Sequence, residues 1–167
     1  LEAIRACSEH LVSFGGHAMA AGLKIEKANI AAFTAAFEEY AQQNLDEEKL
    51  VSRLDIDGVC SISDMSQSVV KELSLLEPTG QGNPRPLFAT CGVRWMSPPR
   101  RVGAKGDHLQ IAITDNTASV RCIGFGMGRL EKKLLESDGF NVAYEPQINT
   151  YNGNSSVQFV LSDIQFE

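Results

Sequence analysis

Apolar residues recur at helical spacing in the first part of the chain. A helix is predicted over 1–13, ending at the glycine pair that follows it. After a short alternating strand over 21–26, a second helix is predicted over 29–44, capped by Asn29. Its apolar residues are predicted to face the core: Ile30, Phe33, Phe37 and Tyr40. The acidic stretch 45–50 is the predicted linker to the rest of the chain.

From residue 52 onward the apolar positions alternate in short runs. A strand predicted over 52–58 and a capped helix over 63–77 lead into five further strands. These strands are predicted at 87–97, 108–114, 117–125, 141–151 and 156–165. One helix, 128–137, lies between the third and the fourth. Five strands with a helix after the third is the order of an OB-fold, a small closed barrel, although other barrels share this periodicity.

The composition is that of an ordinary soluble globular protein, with 167 residues, 43% hydrophobic and 22% charged. No apolar run approaches the roughly 18 residues of a membrane span, and no basic region followed by an apolar stretch suggests secretion. Because the chain begins at Leu1 rather than at methionine, we expect a cytoplasmic part of a longer protein. The predicted fold class is α+β.

The cysteines and histidines do not form a recognisable catalytic or metal-binding motif. The four cysteines, Cys7, Cys60, Cys91 and Cys122, lie far apart without a CxxC pair, so we expect reduced thiols that are mostly buried. The three histidines are equally scattered, and neither a DHH nor an HExxH motif occurs. We therefore predict no catalytic residue and no metal ligand in this chain.

The net charge of −6 is unevenly distributed. Residues 1–77 carry six Lys and Arg against thirteen Asp and Glu, a net of −7, whereas residues 78–167 carry nine against eight, a net of +1. Between Pro78 and Gly106 there is no acidic residue, and this stretch holds Arg85, Arg94, Arg100, Arg101 and Lys105. A polyanion would bind this stretch in preference to the acidic first part.

Four stretches carry a family resemblance: FGGHAMAAG, LEPTGQGNPRPLF, HLQIAI and INTYNGNSSVQFVLSDI, which begin at residues 14, 76, 108 and 148. In this order and spacing they resemble the C-terminal part of the RecJ family, bacterial single-strand-specific 5′→3′ DNA exonucleases of the DHH phosphoesterase superfamily. The resemblance covers nearly the whole chain. One position departs from it: Thr79 stands where the family usually has phenylalanine.

The resemblance implies two domains. Residues 1–46 would be the C-terminal part of a DHH-associated, substrate-binding α/β domain, and residues 47–167 an OB-fold domain with a leading strand and helix. In such enzymes a DHH domain, which would precede Leu1, holds Mn²⁺ or Mg²⁺ ions that activate water for attack on a phosphodiester. The resemblance assigns substrate phosphate binding to Gly15, Gly16 and His17. The residues themselves leave open a second interpretation, the close packing of neighbouring elements.

Within the barrel, several side chains are candidates for contact with single-stranded DNA. They are Gln81, Asn83, Arg85, Trp95, Arg100, Arg101, Lys105, His108 and Tyr151. The two arginines after the Ser-Pro-Pro break could instead form a solvated hairpin tip, and a lone tryptophan in a strand could belong to the core. The proline-glycine loop that carries Gln81 could simply shape a domain junction.

We expect this chain to bind single-stranded DNA without cutting it, as part of an exonuclease of DNA repair and recombination. Other DNA-repair proteins are an expected further class of partner, and a membrane is not. Two alternatives stay open: a stand-alone single-strand-binding module, and another DHH-superfamily phosphodiesterase that acts on short oligonucleotides.

Overall fold

The computed structural model of the chain describes residues 1–17, 19–45, 51 and 53–166. The chain divides into two compact units, Leu1–Arg53 and Leu54–Glu167. Helices and strands occur together, which confirms the predicted α+β class. Apart from Leu45, the predicted linker over 45–50 lies outside the described residues.

The first unit contains a short helix, a two-stranded hairpin and a long helix. Their bounds are α1 Glu2–Ala6, β1 Ser13–His17, β2 Ala20–Lys24 and α2 Ile30–Asn44, with 3₁₀ turns at Ser8–His10 and Lys27–Asn29. The helix predicted over 1–13 is therefore too long. The chain is already extended at Leu11, and the Val12 N–H donates to the Lys24 carbonyl at 2.9 Å, which draws this segment into the hairpin.

Helix α2 forms as predicted, but its cap and its core face differ from the prediction. Asn29 lies at the N-cap with helical dihedrals, and its side-chain amide donates to the His10 carbonyl at 3.4 Å instead of accepting from the helix. No described residue of α2 is buried, and Ile30 is 49% exposed. The prediction that four apolar side chains of α2 face the core is therefore wrong for Ile30, whereas Phe33, Phe37 and Tyr40 are half-buried.

The second unit opens with a segment that leads into the barrel. It comprises β3 Gly58–Val59, a 3₁₀ turn at Ile62–Asp64, α3 Gln67–Leu73 and a 3₁₀ turn at Ser74–Leu76. The strand predicted over 52–58 is reduced to two residues, which pair in parallel with Phe88 and Ala89. The single helix predicted over 63–77 is divided because Met65 leaves helical dihedrals and Ser66 starts a new helix by accepting from the Val69 N–H at 3.3 Å.

Five strands close the barrel: β4 Phe88–Val102, β5 His108–Thr114, β6 Ser119–Gly124, β7 Phe140–Tyr151 and β8 Asn154–Phe166. Their order is β4-β5-β6-β8-β7, with β4 also paired to β7, and β6 runs parallel to β8. A 3₁₀ turn at Gly128–Leu130 and helix α4 Glu131–Leu135 occupy the predicted place between β6 and β7. This topology confirms the OB-fold prediction.

Strand β4 continues five residues beyond its predicted end because the Ser-Pro-Pro sequence bends the strand without ending it. Register shifts between Trp95 and Ser97, and again between Ser97 and Arg100, mark two bulges in its pairing with β5. Proline is tolerated at such positions, where it has no ladder hydrogen bond to donate. The second bulge lies between Ser97 and Arg100, and it therefore decides toward which side of the sheet the Arg100 side chain points.

The barrel interior is filled by side chains from every strand. Its largest fully buried members are Tyr144, Phe140 and Phe159, and the rings of Tyr144 and Phe159 stack with centroids 3.7 Å apart. The Tyr144 hydroxyl is paired with the buried Thr90 hydroxyl at 3.1 Å, so its polar end is satisfied. Burial raises the pKa of Tyr144 to about 12.

An aspartate in the β5–β6 turn ties the leading segment to the barrel. The Asp115 carboxylate accepts from the Ile62 N–H at 2.7 Å, and Thr117 Oγ1 accepts from the Ser63 N–H at 3.3 Å. Ile62 and Met65 are buried in the same core as the strands. The leading segment is therefore part of the barrel unit and not a mobile connection.

The cysteine prediction holds in part. All four cysteines are free thiols. Cys7 and Cys122 are buried, Cys60 is half-buried and Cys91 is exposed, so burial applies to two of the four. Burial raises the pKa of the Cys122 thiol above its usual range, which keeps it protonated and unreactive.

Candidate nucleic-acid interface

Alternation along β5 separates the barrel core from a polar outer surface. Leu109, Ile111 and Ile113 are buried, so the intervening Gln110 and Ala112 face outward. The partner strands follow the same register. The side chains that share this outward side are Arg94, Ser97 and Arg100 of β4, Gln110, Ala112 and Thr114 of β5, and Ser119, Arg121 and Ile123 of β6. We call this surface the outer face.

Two arginine side chains line the same shallow concavity of the outer face. The concavity has a volume of about 300 Å³, and Arg100 and Arg121 line it together with the polar residues Ser97 and Gln110. No acidic side chain among those that the structure describes lines it. Both arginines are exposed, and within the described part of the chain neither forms an ion pair. Such a surface attracts an anionic backbone.

The other two basic candidates lie at the β4–β5 turn. Arg101 pairs in register with the buried Leu109, and its Nε donates to the Gly106 carbonyl at 2.9 Å. Lys105 is exposed in the turn itself. Arg101 therefore stabilises the turn, whereas Arg100 belongs to the outer face.

The proline-glycine loop uses its candidate residues to hold its own shape. The Asn83 amide donates to the Leu76 carbonyl at 2.9 Å and to the Pro78 carbonyl at 3.0 Å. Arg85 donates to Thr79 Oγ1 at 3.4 Å and lies 3.9 Å from a Glu145 carboxylate oxygen. Gln81 is exposed. These contacts favour the shaping interpretation for Asn83 and Arg85.

The aromatic candidates occupy different environments. Trp95 is half-buried against the core, and its Nε1–H donates to the Leu134 carbonyl at 3.1 Å, which fastens β4 to helix α4. Tyr151 is 74% exposed at the β7–β8 turn. His108 accepts from the Gly126 N–H through Nδ1 at 3.1 Å. Of these three, Tyr151 is the one whose ring is free to stack.

The glycine-histidine stretch forms the turn end of the β1–β2 hairpin. His17 pairs with Ala20 and Gly16 with Ala21, and a side chain at Gly16 would collide with the Ala20 carbonyl. Gly16 also has a φ of +143°, which other residues rarely adopt. The close approach of a neighbouring strand therefore accounts for Gly16. Gly15 has open space beside it, and His17 is exposed.

Among the residues that the structure describes, no group of three His, Cys, Asp or Glu side chains is placed to hold a metal ion. The family resemblance assigns the Mn²⁺ or Mg²⁺ ions to a DHH domain and not to these residues. In the same residues, no helix has the length and apolar character needed to cross a bilayer.

Sequence reasoning missed Arg121 and Gln110, although a signal for both was present. Arg121 stands between the buried residues Val120 and Cys122, and Gln110 between Leu109 and Ile111. A polar residue flanked by buried ones in a strand must face outward. Aligning the two strands would then have placed Arg121 near Gln110.

Comparison with known proteins identifies relatives along nearly the whole chain. Residues 56–163 match the family described as the RecJ OB domain. The single-stranded-DNA-specific exonuclease RecJ of Bacillus subtilis is 26% identical over 162 residues, which are 97% of this chain and 20% of that protein. RecJ of Thermus thermophilus is 34% identical over 156 residues, covering 88% of this chain and 22% of that protein.

A solved structure shows the same fold. The crystal structure of Thermus thermophilus RecJ in complex with Mn²⁺ matches 99% of this chain with a TM-score of 0.80 and 30% identity. The match covers 24% of that chain. The present chain thus spans between a fifth and a quarter of the length of these relatives.

Proposed function

The chain belongs to the RecJ OB domain family, and on that basis we propose that it is the single-stranded-DNA-binding, C-terminal part of a RecJ-type 5′→3′ exonuclease. The exonuclease activity would belong to the longer protein, of which this chain is a minor share. The chain alone would bind DNA without cleaving it, since its described residues provide no site for a metal ion.

The outer face is the observation that carries this proposal. In OB-folds the face made by the second and third barrel strands binds oligonucleotides, and β5 and β6 hold those places here. Arg100 pairs with Gln110 and Arg121 with Ala112 on this face, and among the described residues no acid lines the concavity that they share. A positive groove within a chain of net charge −6 is a local feature that the overall charge does not explain.

The chemistry of these side chains favours contact with the DNA backbone over reading of its sequence. Guanidinium groups form strong paired hydrogen bonds with phosphate oxygens, and each neutralised phosphate releases counterions. Ser97 and Gln110 can add hydrogen bonds to phosphate or sugar. Binding of this kind tolerates any sequence, as an exonuclease that degrades successive nucleotides requires.

The rest of the proposed mechanism concerns the longer enzyme. We propose that Gly15, Gly16 and His17 contact a substrate phosphate there, with exposed His17 and the open backbone at Gly15 in its support. The same proposal includes four further points. Residues 1–46 belong to a DHH-associated domain, and the longer enzyme uses Mn²⁺ or Mg²⁺. Its partners include other DNA-repair proteins, and it is located in the cytoplasm.

A salt titration tests the binding proposal. We expect labelled oligothymidine to bind the chain with an affinity that falls as salt rises, by a slope of about −0.7 per phosphate contact. The double variant Arg100→Gln/Arg121→Gln should flatten this slope by about 1.4. Fluorescence anisotropy at several salt concentrations measures both slopes.

The matched control removes the same charge elsewhere. Arg129→Gln/Lys132→Gln changes two exposed cations, one in the 3₁₀ turn before α4 and one in α4, and should leave the slope unchanged. If the two double variants behave alike, the outer face is not the DNA site. If the unmodified chain does not bind oligothymidine even at low salt, the binding proposal itself is wrong.

A further inference from the structure

A large apolar side chain is exposed at the end of the outer face. Phe125 follows the last residue of β6 and is 62% exposed. The β5–β6 register pairs Gln110 with Ile123, and its continuation by two residues brings Phe125 beside His108. Phe125 therefore extends the row that already contains Arg121 and Ile123.

His108 holds the Phe125 ring in place. The ring centroids lie 5.2 Å apart and the ring planes meet at 77°. The Gly126 N–H donates to His108 Nδ1 at 3.1 Å, so the imidazole is fixed by the backbone that follows Phe125. An exposed phenylalanine supported in this way has a defined position, which lowers the entropy lost when a ligand binds it.

We propose that Phe125 stacks on a base of the single-stranded DNA whose phosphates are bound by Arg100 and Arg121, with His108 as the residue that positions the ring. This inference rests on the proposed function and adds a base-contacting residue to it. Arg121 and Phe125 are four residues apart, roughly 13 Å along an extended strand. The phosphates of the DNA would thus contact the two guanidinium groups in the middle of the outer face, and a base would contact Phe125 at the edge next to the β4–β5 turn.

Base stacking suits this position because every base has a π-face, and stacking therefore tolerates any sequence. The two aromatic candidates from the sequence, Trp95 and Tyr151, are less suited to stack on a base of the same DNA strand. Trp95 is fastened to the Leu134 carbonyl, and Tyr151 lies at a different turn, where β7 meets β8. Phe125 directly follows β6, which carries Arg121, and its ring contacts His108, the first residue of β5.

Alanine substitution with two probes tests the stacking. Phe125→Ala should weaken binding of oligothymidine about 5- to 150-fold, the range found for loss of one stacked base. Binding of an abasic oligodeoxyribose phosphate of equal length should change less than about twofold, because it has no base to stack. The salt slope should not change, since phenylalanine carries no charge.

Two further variants complete the test. Leu75→Ala removes an apolar side chain that is 82% exposed in the 3₁₀ turn Ser74–Leu76, outside the strands of the outer face, and should bind as the unmodified chain does. Phe125→Trp should keep the affinity, and oligothymidine should quench its emission beyond any change in the Trp95 signal of the unmodified chain. Thermal unfolding checks that each variant is folded.

The outcomes separate this inference from the proposed function. If the arginine variant loses affinity while Phe125→Ala binds oligothymidine normally, the DNA site stands and the stacking is refuted. Equal losses of Phe125→Ala for oligothymidine and for the abasic probe would also refute it, because the contact would then not involve a base. Absence of any binding by the unmodified chain would overturn both.

Discussion

Replacing Asp115 with asparagine should destabilise the barrel unit at neutral pH and have a smaller effect in acid. The carboxylate accepts from the Ile62 N–H at 2.7 Å, from the Thr117 N–H at 2.9 Å and from the Thr117 hydroxyl at 2.6 Å. Asparagine keeps the size of the side chain but loses the charge and one acceptor oxygen. One contact to the leading segment or the β5–β6 turn must therefore weaken.

The pKa of Asp115 sets the size and the pH range of the effect. Burial favours the neutral acid, but the hydrogen bonds outweigh burial and lower the pKa from 3.8 to about 2. This difference corresponds to at most about 2.5 kcal/mol in free energy of unfolding, which solvent screening at a partly exposed site reduces to roughly 1–2 kcal/mol. Because the folded pKa is the lower one, the stabilisation is present above about pH 4 and is lost as the pH falls through about 2.

Urea unfolding at pH 7 and pH 2.5 measures the prediction. The chain has one tryptophan, Trp95, which lies in the barrel, so its emission reports on this unit. Asp115→Asn should lower the free energy of unfolding by roughly 1–2 kcal/mol at pH 7 and by about a third of that at pH 2.5. Asp163→Asn, an exposed position on β8, is the control and should change little. An equal loss at both pH values would refute the role given to the Asp115 charge.

Two further predictions concern residues that the sequence singled out. Trp95→Phe should lower the melting temperature of the barrel, because the bond to the Leu134 carbonyl is lost, yet leave oligothymidine affinity unchanged; weaker DNA binding by a folded variant would make Trp95 a DNA contact. His17→Ala in a full-length enzyme that contains this chain should lower turnover by roughly 10²-fold at unchanged melting temperature; unchanged turnover per folded molecule would remove His17 from phosphate binding.

The barrel was predictable because its strands alternate. β5 was predicted at its observed bounds, since buried and outward residues alternate through all of it. Of the β1–β2 hairpin, the alternating strand predicted over 21–26 overlaps β2, whereas β1 was not predicted, because nearly every residue in it is exposed and no apolar alternation marks it. The Gly15-Gly16 pair was therefore interpreted as a helix end, although both residues lie within a strand.

The residues of the candidate site that are close together in sequence were predicted, whereas a residue brought to the site from another strand was missed. Arg100 was found because it lies in the acid-free stretch that ends at Gly106. Arg121 lies beyond that stretch and joins Arg100 only through the pairing of strands. Trp95 was left open because bulges decide which way a strand residue points, and bulges have no simple sequence pattern.

The two bulges in the pairing of β4 with β5 decide which residues of β4 share a face. Ser97 and Arg100 differ by three positions and would point to opposite sides of a regular strand, yet the second bulge turns both outward. Deleting Pro98 alone would remove this bulge and leave Ser97 and Arg100 two positions apart, so both would still face outward and the pairing with Ala112 and Gln110 would be kept. A single deletion in a regular part of the strand, such as loss of Arg94, would instead turn the side chains before it to the opposite face.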